Sequence, residues 1–390
     1  MSQRPDDICP RPPQLADLPA PPLAAPIYPA SVYRLRDPQQ AAALLGGDEP
    51  GYFYRRDGHP NADLLAESCR ALHGAQQAVV CGSGMAALAA AVLSQVSAGD
   101  HVIVSRHLYG RTLDLVTGEL ARLGIESSIV DTCDLDAVAA SFTARTRLVV
   151  VETITNPLLR VSDLAALAAL AHAREARLLV DNTFASPVAC RPLEHGADLV
   201  VESLTKIING HSDVVLGLVC GQNEACEPLA RIVSIWGFTS SPFDCWLAHR
   251  GLATLAVRAA RAMDNARRAA DFLAGQRPVA RVWYPGRTDH PDYALAQRQL
   301  TGGRGAMVTF TLSGGLEAAR RFITAARRIP FAPSLGELST TVSHPATTSH
   351  RGLDPAARAA LSIDDGTLRL SVGIESPEEV LEALSEALGG

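Results

Sequence analysis

Leu178-Leu-Val-Asp-Asn-Thr-Phe184 and Leu199-Val-Val-Glu-Ser-Leu-Thr-Lys206 are the two stretches on which the fold of this chain turns. Each is a short run of Leu and Val followed by a charged side chain, Asp181 in the first and Lys206 in the second. Runs of this kind, apolar at every position, are strands covered on both faces, and the ends of such strands are where an α/β protein keeps its polar chemistry. A carboxylate at the end of a buried strand needs a partner. Read alone, Asp181 is equally a helix cap or a turn residue. Lys206 carries more weight, because it is the only lysine: of 35 basic side chains, 34 are arginine. Arginine stays protonated, whereas a desolvated lysine can lose its proton and attack a carbonyl. The plainer alternative is a surface lysine retained by chance.

Outward from these runs, short strands alternate with helical patterns. Strands are expected at 78–80, 101–104, 127–130, 148–151, 178–180 and 198–201, and helices at 62–73, 83–96, 111–122, 134–140 and 162–175, the last capped by Ser162. This order predicts an α/β fold with a mostly parallel sheet. A long helical stretch, 243–275, leads to a strand, helix, strand and helix at 307–312, 315–328, 368–372 and 377–387, which read as a smaller C-terminal α/β domain. Upstream, proline is dense from Pro5 to Pro29, and Gly51-Tyr-Phe-Tyr-Arg-Arg-Asp-Gly-His-Pro60 is aromatic and basic. The expected organisation is an extended arm over 1–60, a large α/β domain over 61–257 and a small domain over 258–390.

The length of 390 residues fits two or three domains at roughly 150 residues each. A net charge of −6 argues against a surface built for nucleic-acid phosphates. The longest apolar runs, such as Val214 to Val219, fall far short of the ~20 residues of a membrane span. The N-terminus lacks the basic, apolar and small-residue order of a secretory signal, so the expected location is the cytoplasm. The eight cysteines form no C-x-x-C pair and read as buried free thiols. His101, His107, His290, His344 and His350 have no metal-ligand spacing, so no metal is expected. The pairs Arg267-Arg268 and Arg327-Arg328 read as solvated helix faces.

Gly82-Ser-Gly-Met-Ala-Ala87 follows one expected strand and opens a helix. As a string it fits a dinucleotide fingerprint, but the next strand ends in Ser105-Arg106 where an acid for the ribose is required. What survives is the physics: glycines admit close approach, and a helix N-terminus offers N–H groups to a phosphate. A phosphate cradle, a strand-end acid and a strand-end lysine about 25 residues later together fit pyridoxal phosphate. That cofactor requires a lysine for its Schiff base, an acid for its ring nitrogen and donors for its phosphate.

From about residue 50 to the C-terminus the chain resembles the Cys/Met-metabolism family of pyridoxal-phosphate enzymes, which have fold type I. The matching strings are Ser83-Gly-Met-Ala-Ala87, Leu108-Tyr-Gly110, Glu152-Thr-Ile-Thr-Asn-Pro-Leu158, Asp181-Asn-Thr-Phe-Ala185, Ser203-Leu-Thr-Lys206 with Asn209-Gly-His211, Ser241-Pro-Phe-Asp244 and Arg369-Leu-Ser-Val-Gly-Ile-Glu375. The resemblance implies that Lys206 is the Schiff-base lysine and proton shuttle, that Asp181 faces the ring nitrogen, and that Tyr109 stacks on the ring and assists proton transfer. It implies further that Asn156 bonds the ring hydroxyl, that Gly84, Met85, Ser203 and Thr205 hold the phosphate, and that Thr183 belongs to the cofactor site. Tyr54 and Arg56 match a Tyr-x-Arg pair that reaches the phosphate of a neighbouring subunit, which implies a homo-oligomer, usually a tetramer. Arg369 matches the arginine that grips a substrate α-carboxylate.

Several positions depart from the family pattern. His59-Pro-Asn61 stands for Asn-Pro-Thr, Glu202 for the usual His, Ile207 for a frequent Tyr, and Ser339-Thr340-Thr341 for Glu-Ser-Leu. Acids that read a distal amine in cystathionine γ-lyases are replaced by Phe53 and Ser339, and a small residue by Arg111, which is expected to enter the substrate pocket or to pair with Asp114. The resulting expectation is β- or γ-elimination on a sulfur- or oxygen-substituted amino acid, with a γ-replacement synthase as the alternative. An aminotransferase, a cysteine desulfurase and a catalytically degenerate binding protein are further alternatives. The expected partners are a small amino-acid substrate and further copies of this chain, with neither nucleic acid nor membrane.

Overall fold

The computed structural model describes residues 4–9, 20 and 22–389. Seven strands form the larger sheet: β1 (Gln77–Cys81), β2 (His101–Ser105), β3 (Glu126–Val130), β4 (Thr146–Glu152), β5 (Arg177–Asp181), β6 (Leu199–Glu202) and β7 (Gly217–Gly221). Their spatial order is β1-β7-β6-β5-β4-β2-β3. Only β7 runs against its neighbours β1 and β6; the remaining pairs are parallel. Four further strands, β8 (Val279–Trp283), β9 (Met307–Leu312), β10 (Thr341–Ser343) and β11 (Thr367–Ser371), make a smaller antiparallel sheet in the order β10-β11-β9-β8.

The alternation of side chains along each strand explains why the deciding runs are apolar throughout. Val149, Val151, Leu178, Val180 and Val200 join one buried cluster, and Leu148, Val150, Leu179, Leu199 and Val201 the other. Both faces of the sheet are therefore covered, and polar residues gather where the strands end. A third cluster packs the helices Leu255–Ala274, Gly315–Ala325 and Pro377–Leu388 on the small sheet through Ala269, Phe310, Phe322 and Leu384.

The structure corrects the sequence reading in several places. The helix expected at 111–122 is α-helical only over Gly110–Asp114 and becomes a π-helix over Leu115–Leu120. The helix expected from 162 begins at Leu164, capped by Asp163, whose carboxylate accepts from Ala166 N–H at 3.1 Å. Ser162 instead donates its hydroxyl to the Glu152 carbonyl at 2.8 Å. The stretch 243–275 is two helices, Pro242–Leu252 and Leu255–Ala274. Strands β7, β8 and β10 were not anticipated.

The arm also departs from expectation. It contains a helix, Pro38–Gly46, with Asp37 as its cap, Pro38 at the first position and Gly47 in the left-handed conformation at its end. Part of it lies against its own chain. Trp246 Nε1 donates to Ala25 O at 2.8 Å, and Asn61 both donates to Pro26 O at 2.7 Å and accepts from Tyr28 N–H at 2.9 Å. Residues 10–19 and 21 of the proline-dense stretch fall outside the described residues.

Candidate active site

The C-terminal ends of β4, β5 and β6 border a cavity of about 290 Å³. The large sheet and its loops supply Tyr109, Asn156, Asp181 and Lys206, while Ser334 and Arg369 come from the segment that holds the small sheet. At one end, Ser83 caps the helix Gly84–Leu93 and accepts from Ala86 N–H at 3.0 Å. The N–H groups of Gly84 and Met85 then lie in the first turn, where no intrahelical acceptor exists. A Cβ on Gly84 would sit 2.9 Å from Cβ of Ser203, so only glycine allows the helix to come this close to the Ser203 turn. This is a backbone cradle suited to a phosphate.

Lys206 is half-buried, and its Nζ donates to Ser334 Oγ at 2.9 Å. Burial lowers its pKa below that of an ordinary lysine; the negative charge of Glu337 opposes this shift and the positive charge of Arg369 adds to it. Asp181 Oδ1 accepts from both the N–H and the hydroxyl of Thr183, at 2.9 and 2.6 Å. Ser203 N–H donates to the same Thr183 hydroxyl at 3.0 Å, tying the turn after β5 to the turn after β6. Burial raises the Asp181 carboxyl pKa, and the bonds from Thr183 oppose that rise.

Glu152 is a site residue that the sequence reading missed. It is buried on the cavity wall, accepts from Tyr109 N–H at 2.7 Å through one oxygen and from Asn156 N–H at 3.2 Å through the other. It thus fixes the two loops that carry the expected ring-stacking and ring-hydroxyl residues. Burial, and secondarily the charge of Asp181, push its carboxyl pKa far up. Ser334 was missed as well. It accepts from Lys206 and, through its carbonyl, from Arg369 Nη2 at 3.2 Å.

Arg369 is 5 % exposed, yet no carboxylate pairs with it among the described residues. Nη1 donates to Asn156 Oδ1 at 2.6 Å, and Nε is buried without an acceptor. Burial lowers its pKa to about 10, which still leaves the guanidinium charged at neutral pH. A buried cation with an idle donor beside a cavity calls for an anion.

Other expected site residues sit elsewhere. Thr205 lines the cavity, but its hydroxyl donates to Leu216 O at 3.2 Å and accepts from Leu216 N–H at 3.0 Å. Thr183 reaches the cavity chiefly as the residue that aims Asp181. Tyr54 and Arg56 are exposed and do not line this cavity; the Arg56 guanidinium lies 5.1 Å from the centre of the Tyr54 ring. Phe53 and Ser339 are exposed and also off its walls. Thr340 is turned away, its hydroxyl donating to Glu375 Oε2 at 3.0 Å and accepting from Gly373 N–H at 3.0 Å. Arg111 is not on the wall either: its side chain is 64 % exposed and pairs with Asp114 at 3.1 Å.

A lone lysine, a strand-end acid, a helix N-terminus held open by glycine and an unpaired arginine in one cavity define a pyridoxal-phosphate site, and these residues fit that cofactor. Residues 16–389 match the sequence profile of the Cys/Met metabolism PLP-dependent enzymes, and the chain belongs to that family. It is 38 % identical over 369 residues to an L-methionine gamma-lyase of Porphyromonas gingivalis, covering 94 % of this chain and 92 % of that one. It is 40 % identical over 362 residues to an O-succinylhomoserine sulfhydrylase of Pseudomonas aeruginosa, covering 93 % and 90 %. The crystal structure of cystathionine gamma synthase from Xanthomonas oryzae pv. oryzae in complex with cystathionine superposes with a TM-score of 0.93 at 36 % identity, covering 100 % of this chain and 98 % of that one. The protein is therefore a fold-type-I, pyridoxal-phosphate-dependent enzyme of sulfur amino-acid metabolism.

Proposed function

We propose that this enzyme is a C–S or C–O lyase, acting by β- or γ-elimination on an amino acid of the methionine, cystathionine or homoserine-ester class. One observation carries the reading: Lys206 and the idle Nε of Arg369 share a cavity whose wall acids, Glu152 and Asp181, already accept hydrogen bonds from the protein. An α-amino acid supplies what is missing, a carboxylate for Arg369 and an amine that can displace Lys206.

When bound, pyridoxal phosphate supplies the sink for the electron pair left at Cα. Lys206 would hold the cofactor covalently and, once freed by the substrate amine, would take the Cα proton. Asp181 would keep a proton on the ring nitrogen, because each charge favours the other. Tyr109 would cover the ring, Asn156 would present its amide to the ring hydroxyl, and Gly84, Met85 and Ser203 would hold the phosphate. For a γ-substituent Lys206 moves a second proton, from Cβ. Departure of the thiol or acid and uptake of water then give a keto acid and ammonia.

A second reading, γ-replacement on an O-acyl- or O-phosphohomoserine, is supported by the likeness to an O-succinylhomoserine sulfhydrylase and to a cystathionine gamma synthase. The test is to incubate the enzyme with methionine and with O-succinylhomoserine, with and without cysteine. Keto acid and ammonia formed without cysteine support the lyase. Product that requires cysteine supports replacement, and a keto acid retaining its substituent supports an aminotransferase. We further propose a cytoplasmic homotetramer built from dimers with shared sites. Tyr54 and Arg56, exposed and away from their own cavity, support this arrangement.

A further inference from the structure

Behind Asp181 lies a second buried acid that the chemistry above does not use. Glu202 ends β6 and is 1 % exposed; His73 ends the helix Pro60–His73 and is 0 % exposed. His73 Nε2 lies 3.4 Å from Glu202 Oε1. The same Glu202 oxygen accepts from Asn182 Nδ2 at 2.9 Å, and Asn182 Oδ1 accepts from the Thr153 hydroxyl at 2.7 Å. Asn182 directly follows Asp181, and its N–H donates to Val201 O at 2.9 Å. The Glu202–Asn182 bond therefore joins the turn that carries Asp181 to the turn that carries Ser203 and Lys206.

Glu202 accepts from Asn182 and lies 3.4 Å from His73. The thiols of Cys69, Cys190 and Cys220 feel its charge, and burial and Asp181 both favour its neutral form. His73 is kept neutral by burial and by the positive charge of Arg191, with a pKa lowered to about 3. Both His73 nitrogens are buried without a hydrogen-bond partner among the described residues, so the 3.4 Å approach of Nε2 to Glu202 is the polar contact this imidazole has. An isolated carboxylate here would be costly, and a second full charge near Asp181 would compete with it for the ring proton. Glu202 stands where the resembling family usually carries His.

We propose that His73 and Glu202 act as a single buried unit whose function is to hold Asn182, and through it Asp181, in place for the cofactor. They are positioning residues, and the inference rests on the reading of Asp181 as the partner of the ring nitrogen. An acid and an imidazole in contact can in principle exchange places: a histidine at 202 accepts from Asn182 with one nitrogen and donates to a carboxyl at 73 with the other.

The experiment titrates pyridoxal phosphate onto His73→Glu, Glu202→His, the double exchange His73→Glu/Glu202→His and the double amide His73→Gln/Glu202→Gln. Visible absorption and thermal midpoint are recorded for each. The single variants should bind the cofactor at least about tenfold more weakly, and each double variant should return to within about threefold of wild type. In an Asp181→Asn background the penalty of the single variants should disappear, which a purely structural role would not produce. Double variants as weak as the singles, or singles that bind normally, overturn the proposal. If the singles do not fold, the two doubles decide it alone: normal binding sustains it and weak binding or failure to fold overturns it. Failure of wild type itself to load cofactor on Lys206 would instead strike at the reading of the site.

Discussion

Lys206 Nζ and Ser334 Oγ are 2.9 Å apart, joining residues 128 positions distant in the sequence. The serine lies between β9 and β10 of the small sheet, so the reactive amine is held from outside the sheet that presents it. Ser334 also accepts from Arg369 through its carbonyl, so one residue serves both the lysine and the arginine proposed to bind the carboxylate.

This contact makes cofactor loading a test of Lys206. Attack on the cofactor aldehyde requires the free amine, whose fraction rises with pH. Because burial lowers the Lys206 pKa, the loading rate of the apoenzyme should level off at a lower pH than that of a lysine peptide. Ser334→Ala removes an acceptor that favours the protonated amine, so its plateau should come at a still lower pH. Stopped-flow absorbance across pH checks both shifts. Borohydride should fix the cofactor to Lys206, and Lys206→Arg should abolish turnover; wild-type turnover in Lys206→Arg would remove the lysine from the mechanism.

Asp181→Asn keeps the side-chain shape and one acceptor for Thr183 but loses the charge. The variant should retain cofactor yet lose most turnover, by about 100-fold or more if the carboxylate maintains the protonated ring. Single-turnover measurement of Cα proton exchange locates the loss in that step. Undiminished exchange would give the carboxylate another role.

Glu152→Gln tests the wall acid. Tyr109 and Asn156 each donate a backbone N–H to it, so the amide keeps one acceptor and turns a donor toward the other N–H. Losing one buried hydrogen bond and opposing two donors should lower stability by about 1–3 kcal/mol. Thermal melts of the apoenzyme measure this, and an unchanged midpoint would mean that the two loops are held by other contacts.

Much of this site was legible in the sequence, for a physical reason. A parallel sheet covered on both faces writes itself as apolar runs, and Asp181 and Lys206 stand out where the runs stop. The single lysine among 34 arginines added a signal that spacing alone lacks. Glu152 also ends a strand, but it meets backbone N–H groups, which leave no mark on composition. Ser334 is a common residue in a loop, and only folding brings it to Lys206. Strand β7 was missed because glycines bound it: a Cβ on Gly217 would lie 2.1 Å from Ser83 O, so the position is dictated by a neighbour distant in sequence. The break between the helices at 242–252 and 255–274 has no proline to announce it.

Assembly is open to complementation. Arg56 is exposed and leaves its own cavity untouched, as expected of a residue that completes a neighbour's site. Arg56→Ala and Lys206→Ala should each be inactive alone and regain partial activity when co-assembled, because one type of mixed site then contains both residues. Mixed oligomers confirmed by native mass spectrometry that remain dead would show that Arg56 does not act across subunits.

The sequence leaves Arg111 two places, the substrate pocket or a pair with Asp114, and the structure has it in the second. Its place two residues after Tyr109 invites the idea that it selects an anionic distal group. The structure turns the guanidinium toward Asp114, with the two side chains 64 % and 67 % exposed. An exposed pair of this kind contributes about 0–1 kcal/mol and does not hold a side chain against solvent for long. A charged contact inside the cavity would contribute about 1.5–3 kcal/mol, or roughly 10- to 100-fold in selectivity. These magnitudes separate the alternatives. With Arg111 on Asp114, Arg111→Gly should change the ratio of kcat/KM for O-succinylhomoserine to that for methionine by less than about threefold. A fall of tenfold or more in that ratio would mean that the guanidinium leaves Asp114 and enters the cavity when substrate binds. Asp114→Asn then supplies the control: by freeing Arg111 it should raise the ratio if the arginine reads the substrate, and leave it unchanged if the side chain stays in solvent.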